Sequence, residues 1–139
     1  MTTRRAACNC GQLNLTIEGE PARVSMCHCL ECQRRTGAVI SNQARFRRKQ
    51  ITFAGKATAW TRSSDSGNAI TFRFCPTCGS TVYWEGQGFP GFVAVAIGTF
   101  ADPDCMSLPW KRRLTPDVHS RVTRMGRAEP HTRRASRGT

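Results

Sequence analysis

Residues 72–84 read FRFCPTCGSTVYW, two runs of aromatic and β-branched residues on either side of a tight, cysteine-bearing turn. Upstream, AITFRFC (69–75) alternates Ile70, Phe72 and Phe74 with polar residues, the period of a half-buried strand. Downstream, STVYWEG (80–86) reads as a second strand. Between them stands Cys75-x2-Cys78, followed by Gly79. A glycine there supplies the positive φ that turns backbone amides toward a thiolate. The stretch therefore reads as a metal knuckle between two strands.

A matching knuckle lies near the start, where Cys8-x-Cys10 is followed by Gly11. Two such knuckles supply the four sulfurs that a closed structural zinc site needs, each about 2.3 Å from the ion. Cys8, Cys10, Cys75 and Cys78 are the expected ligands. Their metal would join the N-terminal edge of the chain to the middle of a sheet.

The rest of the chain to about residue 100 supports a mostly antiparallel β architecture. QLNLTIE (12–18) sets Leu13, Leu15 and Ile17 on one face. ARVSM (22–26), QITFAG (50–55) and ATAWTRS (57–63) read as further strands, and AVISNQARF (38–46) is mixed. GFVAVAIGTF (91–100) is nearly all apolar and is expected at the centre of the core. SDSGN (64–68) is a turn, and ECQRRTG (31–37) allows one helical turn. No longer helical periodicity is present, so little helix is expected.

At 139 residues the chain has room for one ordinary domain. No apolar h-region precedes the first cysteine, and no apolar run approaches the roughly 20 residues of a membrane helix. A cytoplasmic protein is expected. There thiols stay reduced, and eight cysteines are more readily read as metal ligands or catalysts than as disulfides. The net charge of +12 is uneven. Residues 1–105 hold 12 Lys+Arg against 7 Asp+Glu, and residues 106–139 hold 9 against 2. Patterning stops near residue 104, and the Arg-, Pro- and Ser-rich remainder has too little apolar content to offset its ordering entropy. The expected division is a zinc-binding domain over 1–104 and an Arg-rich tail over 105–139.

The second cysteine group is MCHCLECQRRTG (26–37), with Cys27, Cys29 and Cys32 in C-x-C-x2-C spacing. Three thiolates and an open fourth position suit a catalytic zinc that exchanges a substrate ligand. The competing reading is a second structural site completed by His28 or by Cys105. Arg23, Arg34 and Arg35 stand near the group in sequence, and guanidinium groups suit carboxylates. Tyr83 and Trp84 either flank a pocket or belong to the core.

The order CNCG, CHCLECQRRTGA, FRFCPTCGSTVYW and VAIGTFADPD resembles the glutathione-dependent formaldehyde-activating enzyme family, which includes the centromere protein V group. The resemblance spans roughly residues 6–104 and rests on seven cysteines in order. It implies a β-tent sheet fold with two zinc ions. One would be structural, on Cys8, Cys10, Cys75 and Cys78. The other would be catalytic, on Cys27, Cys29 and Cys32. The implied activity is that of a carbon–sulfur lyase joining glutathione and formaldehyde into S-hydroxymethylglutathione. Past Asp104 the chain departs from the family pattern, with LPW (108–110) its faintest trace. Two other readings of the whole remain: a zinc-stabilised scaffold, and a basic module in which ARFRRKQ (44–50) and the tail arginines contact nucleic-acid phosphates nonspecifically.

Overall fold

The computed structural model describes residues 2–101 and 115–116, and two β-sheets hold half of them. A three-stranded sheet runs in the order β1 (Thr3–Ala7), β2 (Asn14–Glu18), β5 (Ile51–Ala54). The larger sheet is built from β3 (Arg23–Cys27), β4 (Ser41–Arg47), β6 (Thr58–Ser63), β7 (Ala69–Phe74), β8 (Thr81–Gly86), β9 (Phe92–Ala96) and β10 (Thr115–Pro116). Its spatial order is β10-β3-β4-β9-β8-β7-β6. Neighbours are antiparallel except β10, which runs parallel to β3 with Thr115 opposite Ser25 and Pro116 opposite Met26. Among the described residues there is one α-helix, α1 (Leu30–Thr36). The chain is mostly β, as its alternation predicts.

The core lies between the two sheets. Leu13, Leu15 and Ile17 turn inward and are fully buried, while Thr16 and Glu18 face out. Opposite them Val24, Ala44, Phe46, Val93 and Val95 close the cluster from the large sheet. The Phe53 and Tyr83 rings meet across the gap with centroids 5.0 Å apart. The apolar run 91–100 is central in part. β9 sits fourth of seven strands, and Val93, Ala94 and Val95 are all buried because both faces of that strand are covered. Its last residues turn away instead, into a 3-10 turn over Ile97–Phe100.

Two strands go beyond the sequence expectation. β1 was hidden by the consecutive arginines of TRRAA. Arg4 is nonetheless tucked against the fold, donating to the Gly19 carbonyl and pairing with Glu20 at 2.7 Å, so the strand keeps its charge and still buries Ala6. β10 falls within the Arg-rich segment. The expected loose order of the rest of 105–139 lies outside the described residues.

The outer face of the large sheet is unlike the inner one. Trp60, Phe72, Trp84 and Ala94 stand opposite one another on successive strands, forming a row of apolar residues. Phe72, Trp84 and Ala94 form a second buried cluster, and Trp60 stacks on Phe72 at 5.9 Å. Beside this row lie buried polar side chains. Gln43 donates to Ser25 Oγ at 2.9 Å and accepts from Trp84 Nε1 at 3.1 Å. Helix α1 sits over this face.

A glycine holds the knuckle end of the sandwich. Gly55 has φ +87°, and a Cβ there would lie 1.8 Å from the backbone oxygen of Gln12. Both the conformation and the contact exclude a larger residue. Gly55→Ala is expected to destabilise the fold by about 2 kcal/mol or more. A thermal melt that matches the parent would refute this.

Candidate functional site

The first cysteine knuckle closes on itself through backbone bonds. Gly11 donates to the Cys8 carbonyl at 3.0 Å, with φ +83°, and the Leu13 amide donates to Cys8 Sγ at 3.3 Å. The second copies it. Gly79 donates to the Cys75 carbonyl at 2.9 Å, with φ +77°, and Thr77 N–H points at Cys75 Sγ. The two turns meet at the end of the sandwich, so that the Cys8, Cys10, Cys75 and Cys78 sulfurs all lie within 4.8 Å of one another. Cys8–Cys10 and Cys10–Cys75 sulfur separations are 3.5 and 3.6 Å. A tetrahedron of zinc–sulfur bonds of about 2.3 Å has edges of about 3.8 Å, so the spacing fits a metal ion. Cys78 is held down at about 5 by the Ser80 hydroxyl and the Ser80 amide, which favours the thiolate a metal requires.

Gln12 was not foreseen at this centre. Its Nε2 donates to Cys75 Sγ at 2.9 Å and to the Lys56 carbonyl at 2.8 Å, while its Oε1 accepts from Lys56 N–H at 2.9 Å. One amide thus ties a ligand to the loop between β5 and β6. The only hint in the sequence is its place directly after the Cys-x-Cys-Gly turn.

The second group forms where β3 runs into α1. Cys27 ends the strand, and Cys29 caps the helix, its sulfur accepting from Cys32 N–H at 3.4 Å. The helix ends at Gly37, whose φ of +69° lets its amide reach the Gln33 carbonyl. The helical turn expected over 31–37 is therefore displaced by one residue, running Leu30–Thr36, because Cys29 caps its start and Gly37 its end. The Cys27, Cys29 and Cys32 sulfurs also lie within 4.8 Å of one another. Among the described residues no histidine, acidic or further cysteine ligand joins them. The His28 ring stays outside, while its carbonyl accepts from Gln33 Nε2 at 2.9 Å. Cys105 lies outside the described residues.

These three sulfurs share their protons unequally. Cys29 is held down at about 2 by hydrogen bonds from Cys27 and then Cys32. Donating to Cys29 pushes the Cys27 thiol far up. Three thiolates this close ionise together only with a cation among them. The three sulfurs could hold a metal ion, with three protein ligands among the described residues.

Arg35 stands against this group. Its guanidinium lies over the Phe72 and Trp84 rings at 4.8 and 4.6 Å and donates to Ser41 Oγ at 2.7 Å. Its Nε is buried without a hydrogen-bond partner. Burial pushes its pKa down, and the Cys32 sulfur, which it also hydrogen-bonds, pulls it back up. A second cation, Arg62, acts on Cys29 from β6 and lies over the Phe72 ring, 5.4 Å from its centroid.

An open groove of about 550 Å³ adjoins Arg35. Its walls come from Glu31, Arg34 and Arg35 on α1 and from Trp60, Phe72 and Phe74 on the sheet. Arg34 and Arg35 therefore border it as expected, and Arg23 does not, being placed opposite Arg45 on β4. Of the two aromatics that stood open, Tyr83 packs in the core and Trp84 lies under Arg35. The basic stretch 44–50 is engaged elsewhere. Arg45, Arg47 and Arg48 stack on Phe89, Phe92 and Phe53, and Arg48 also pairs with Glu85.

The model of the family described as glutathione-dependent formaldehyde-activating enzyme matches residues 3–124. The chain belongs to that family. The match runs through all seven cysteines of the two groups and continues into the Arg-rich segment as far as residue 124. The fold is similar to the crystal structure of a Rhodobacter sphaeroides protein, with a TM-score of 0.59 and 20% identity over 81% of this chain and 97% of the other. No curated protein matches the chain.

Two substitutions separate the centres. Gln12→Ala is expected to speed metal loss from the four-sulfur group, and Arg35→Gln from the three-sulfur group, each by about tenfold, the usual effect of removing a residue that orients a ligand. Metal release to a chromogenic chelator checks both. Equal effects of either change on both centres would contradict the assignment.

Proposed function

We propose that this chain is a zinc-dependent enzyme of the carbon–sulfur lyase kind, acting on adducts of glutathione, or a similar thiol, with formaldehyde or another aldehyde. Cys27, Cys29 and Cys32 hold the catalytic zinc, and Cys8, Cys10, Cys75 and Cys78 hold the structural one. The observation that carries this reading is the convergence of three sulfurs, without a fourth protein ligand among the described residues, beside a groove rimmed by guanidinium groups. A closed site has no use for a missing ligand, whereas a substrate thiol does.

The chemistry is an addition. The thiol sulfur bonds to the carbonyl carbon, the carbon–oxygen π bond opens, and the thiol proton ends on the oxygen. The lyase direction reverses each change. Zinc, when bound, lowers the pKa of a sulfur ligand so that a thiol ionises near neutral pH. The chain's own residues bind and orient. Arg34 is mostly exposed, with Glu31 3.7 Å away at i,i+3, and is free to swing onto a substrate carboxylate. Arg35 and Arg62 offset negative charge gathered at the sulfurs. Holding thiol and aldehyde side by side in the groove contributes by proximity.

We place this activity in the cytoplasm, where glutathione and reduced thiols coexist. No described helix is long and apolar enough to cross a membrane. All residues given a role lie before residue 105, and residues 105–139 are assigned none. The nucleic-acid reading draws less support, because Arg45, Arg47 and Arg48 already contact Phe89, Phe92, Phe53 and Glu85 within the fold.

Elemental analysis of protein purified under reducing conditions is expected to give two zinc ions per chain, one removed by mild chelation. Cys29→Ser should lose that labile ion together with all glutathione–formaldehyde turnover, and keep its melting temperature within a few degrees. If Cys29→Ser releases both ions and unfolds, the two-role assignment is wrong. If the zinc-replete protein gives no adduct above the uncatalysed rate, the reaction is wrong.

A further inference from the structure

The groove holds more apolar surface than the proposed substrate needs. Formaldehyde adds one carbon, and glutathione is a charged, polar tripeptide. Yet the sheet side of the groove is mostly apolar, with Trp60, Phe72, Phe74 and Ala59 beside Gly79 and Thr81. Trp60 is 50% exposed, an unusual state for the largest apolar side chain. It is not loose, because its ring is stacked on Phe72 with the two planes 27° apart. Phe72 in turn carries Arg35 and Arg62 on its ring. Phe72 is thus covered by Arg35, Arg62 and Trp60, and the half-exposed Trp60 lines the groove.

None of the three cysteines lines the groove, which meets their centre through Arg35. Arg35 both lines it and hydrogen-bonds Cys32, so a single guanidinium separates the aromatic wall from the three-sulfur centre. A volume of about 550 Å³ falls in the range of sites that enclose drug-sized ligands, about 300–1,000 Å³. Charge is confined to the helix side, on Glu31, Arg34 and Arg35. One ligand fits both walls: a polar carboxylate-bearing thiol along the helix, with an apolar group on its sulfur lying against Trp60.

Resting on the thiol–aldehyde reading above, we infer that the adduct handled here carries an apolar carbon skeleton, aromatic or alkyl, and that Trp60 is its specificity-determining contact. The aldehyde is then larger than formaldehyde, of the size of a benzaldehyde or a medium-chain alkanal. Addition remains balanced as before: the carbon–sulfur bond forms, the carbonyl π bond opens, and the thiol proton passes to oxygen. Trp60 takes no part in the bond changes.

Binding of S-methylglutathione and S-hexylglutathione to the zinc-replete full chain, measured by titration calorimetry, tests the inference. S-hexylglutathione is expected to bind at least about tenfold more tightly, the effect of burying roughly two methylenes. Trp60→Ala is expected to bring the two affinities within about twofold of each other. The first comparison is made on the native chain and does not depend on the variant folding. Equal affinities on the native chain would overturn the apolar-arm inference and leave the glutathione reading standing. A preference for hexyl that persists in a folded Trp60→Ala would overturn the role of Trp60. If neither derivative nor glutathione itself binds, the underlying reading fails with it.

Discussion

Four sulfurs converge at one end of the sheet sandwich, where the small sheet meets the large one. Cys8 and Cys10 follow β1 in the small sheet, and Cys75 and Cys78 follow β7 in the large one. A metal held by both knuckles would fix the two sheets at one corner. Cys8 and Cys75 are themselves buried among Leu13, Leu15, Val82 and Ile97, so the joint is continuous with the core rather than appended to it. A small domain leaves a large share of its surface exposed, and a cross-link of this kind adds stability that its apolar burial alone does not supply. Gln12 extends the joint sideways by tying Cys75 to the backbone of the loop before β6.

With one face of the large sheet committed to that core, its other face is free to carry chemistry. The register places Ser25 opposite Gln43 and Cys27 opposite Ser41, so the strand pair that delivers the first sulfur also carries the buried hydroxyls and amide beside it. Ser25, Ser41 and Gln43 are the buried polar residues among those described, and all three are hydrogen-bonded. Arg35 then docks α1 on the aromatic row through two ring contacts and the Ser41 bond. A cation held over ring faces is stabilised by their quadrupoles and keeps its charge near the sulfurs. The same side chain positions the helix, faces the thiolates and walls the groove.

Much of this was legible in the residues. Period-two alternation in 12–18 marks β2 because its inward residues meet only the core. Glycine after each knuckle marks the turn, since only that residue takes the required φ without cost. Helix α1 starts one residue before its expected place because its cap is a cysteine, which local rules treat as a ligand rather than a cap. β1 was missed because Arg4 looks like surface in sequence, and its partners Gly19 and Glu20 arrive only when β2 folds back. Arg23 was grouped with the site by its nearness in the chain. Strand geometry carries it along β3, away from the groove.

By itself the sequence determined the period of its strands, the two cysteine knuckles, the third cysteine group and the family that their order implies. Each is local: spacing and residue type dictate it before any long-range contact forms. Tertiary structure alone decided that sulfurs 65 residues apart meet within 3.6 Å, that Arg35 rather than Arg23 faces the thiolates, that Arg62 of β6 acts on Cys29, and that Trp60 lines the groove. Those placements depend on which strands become neighbours and in what register. That choice is made by burying one face of every strand at once, and no single stretch of chain contains it.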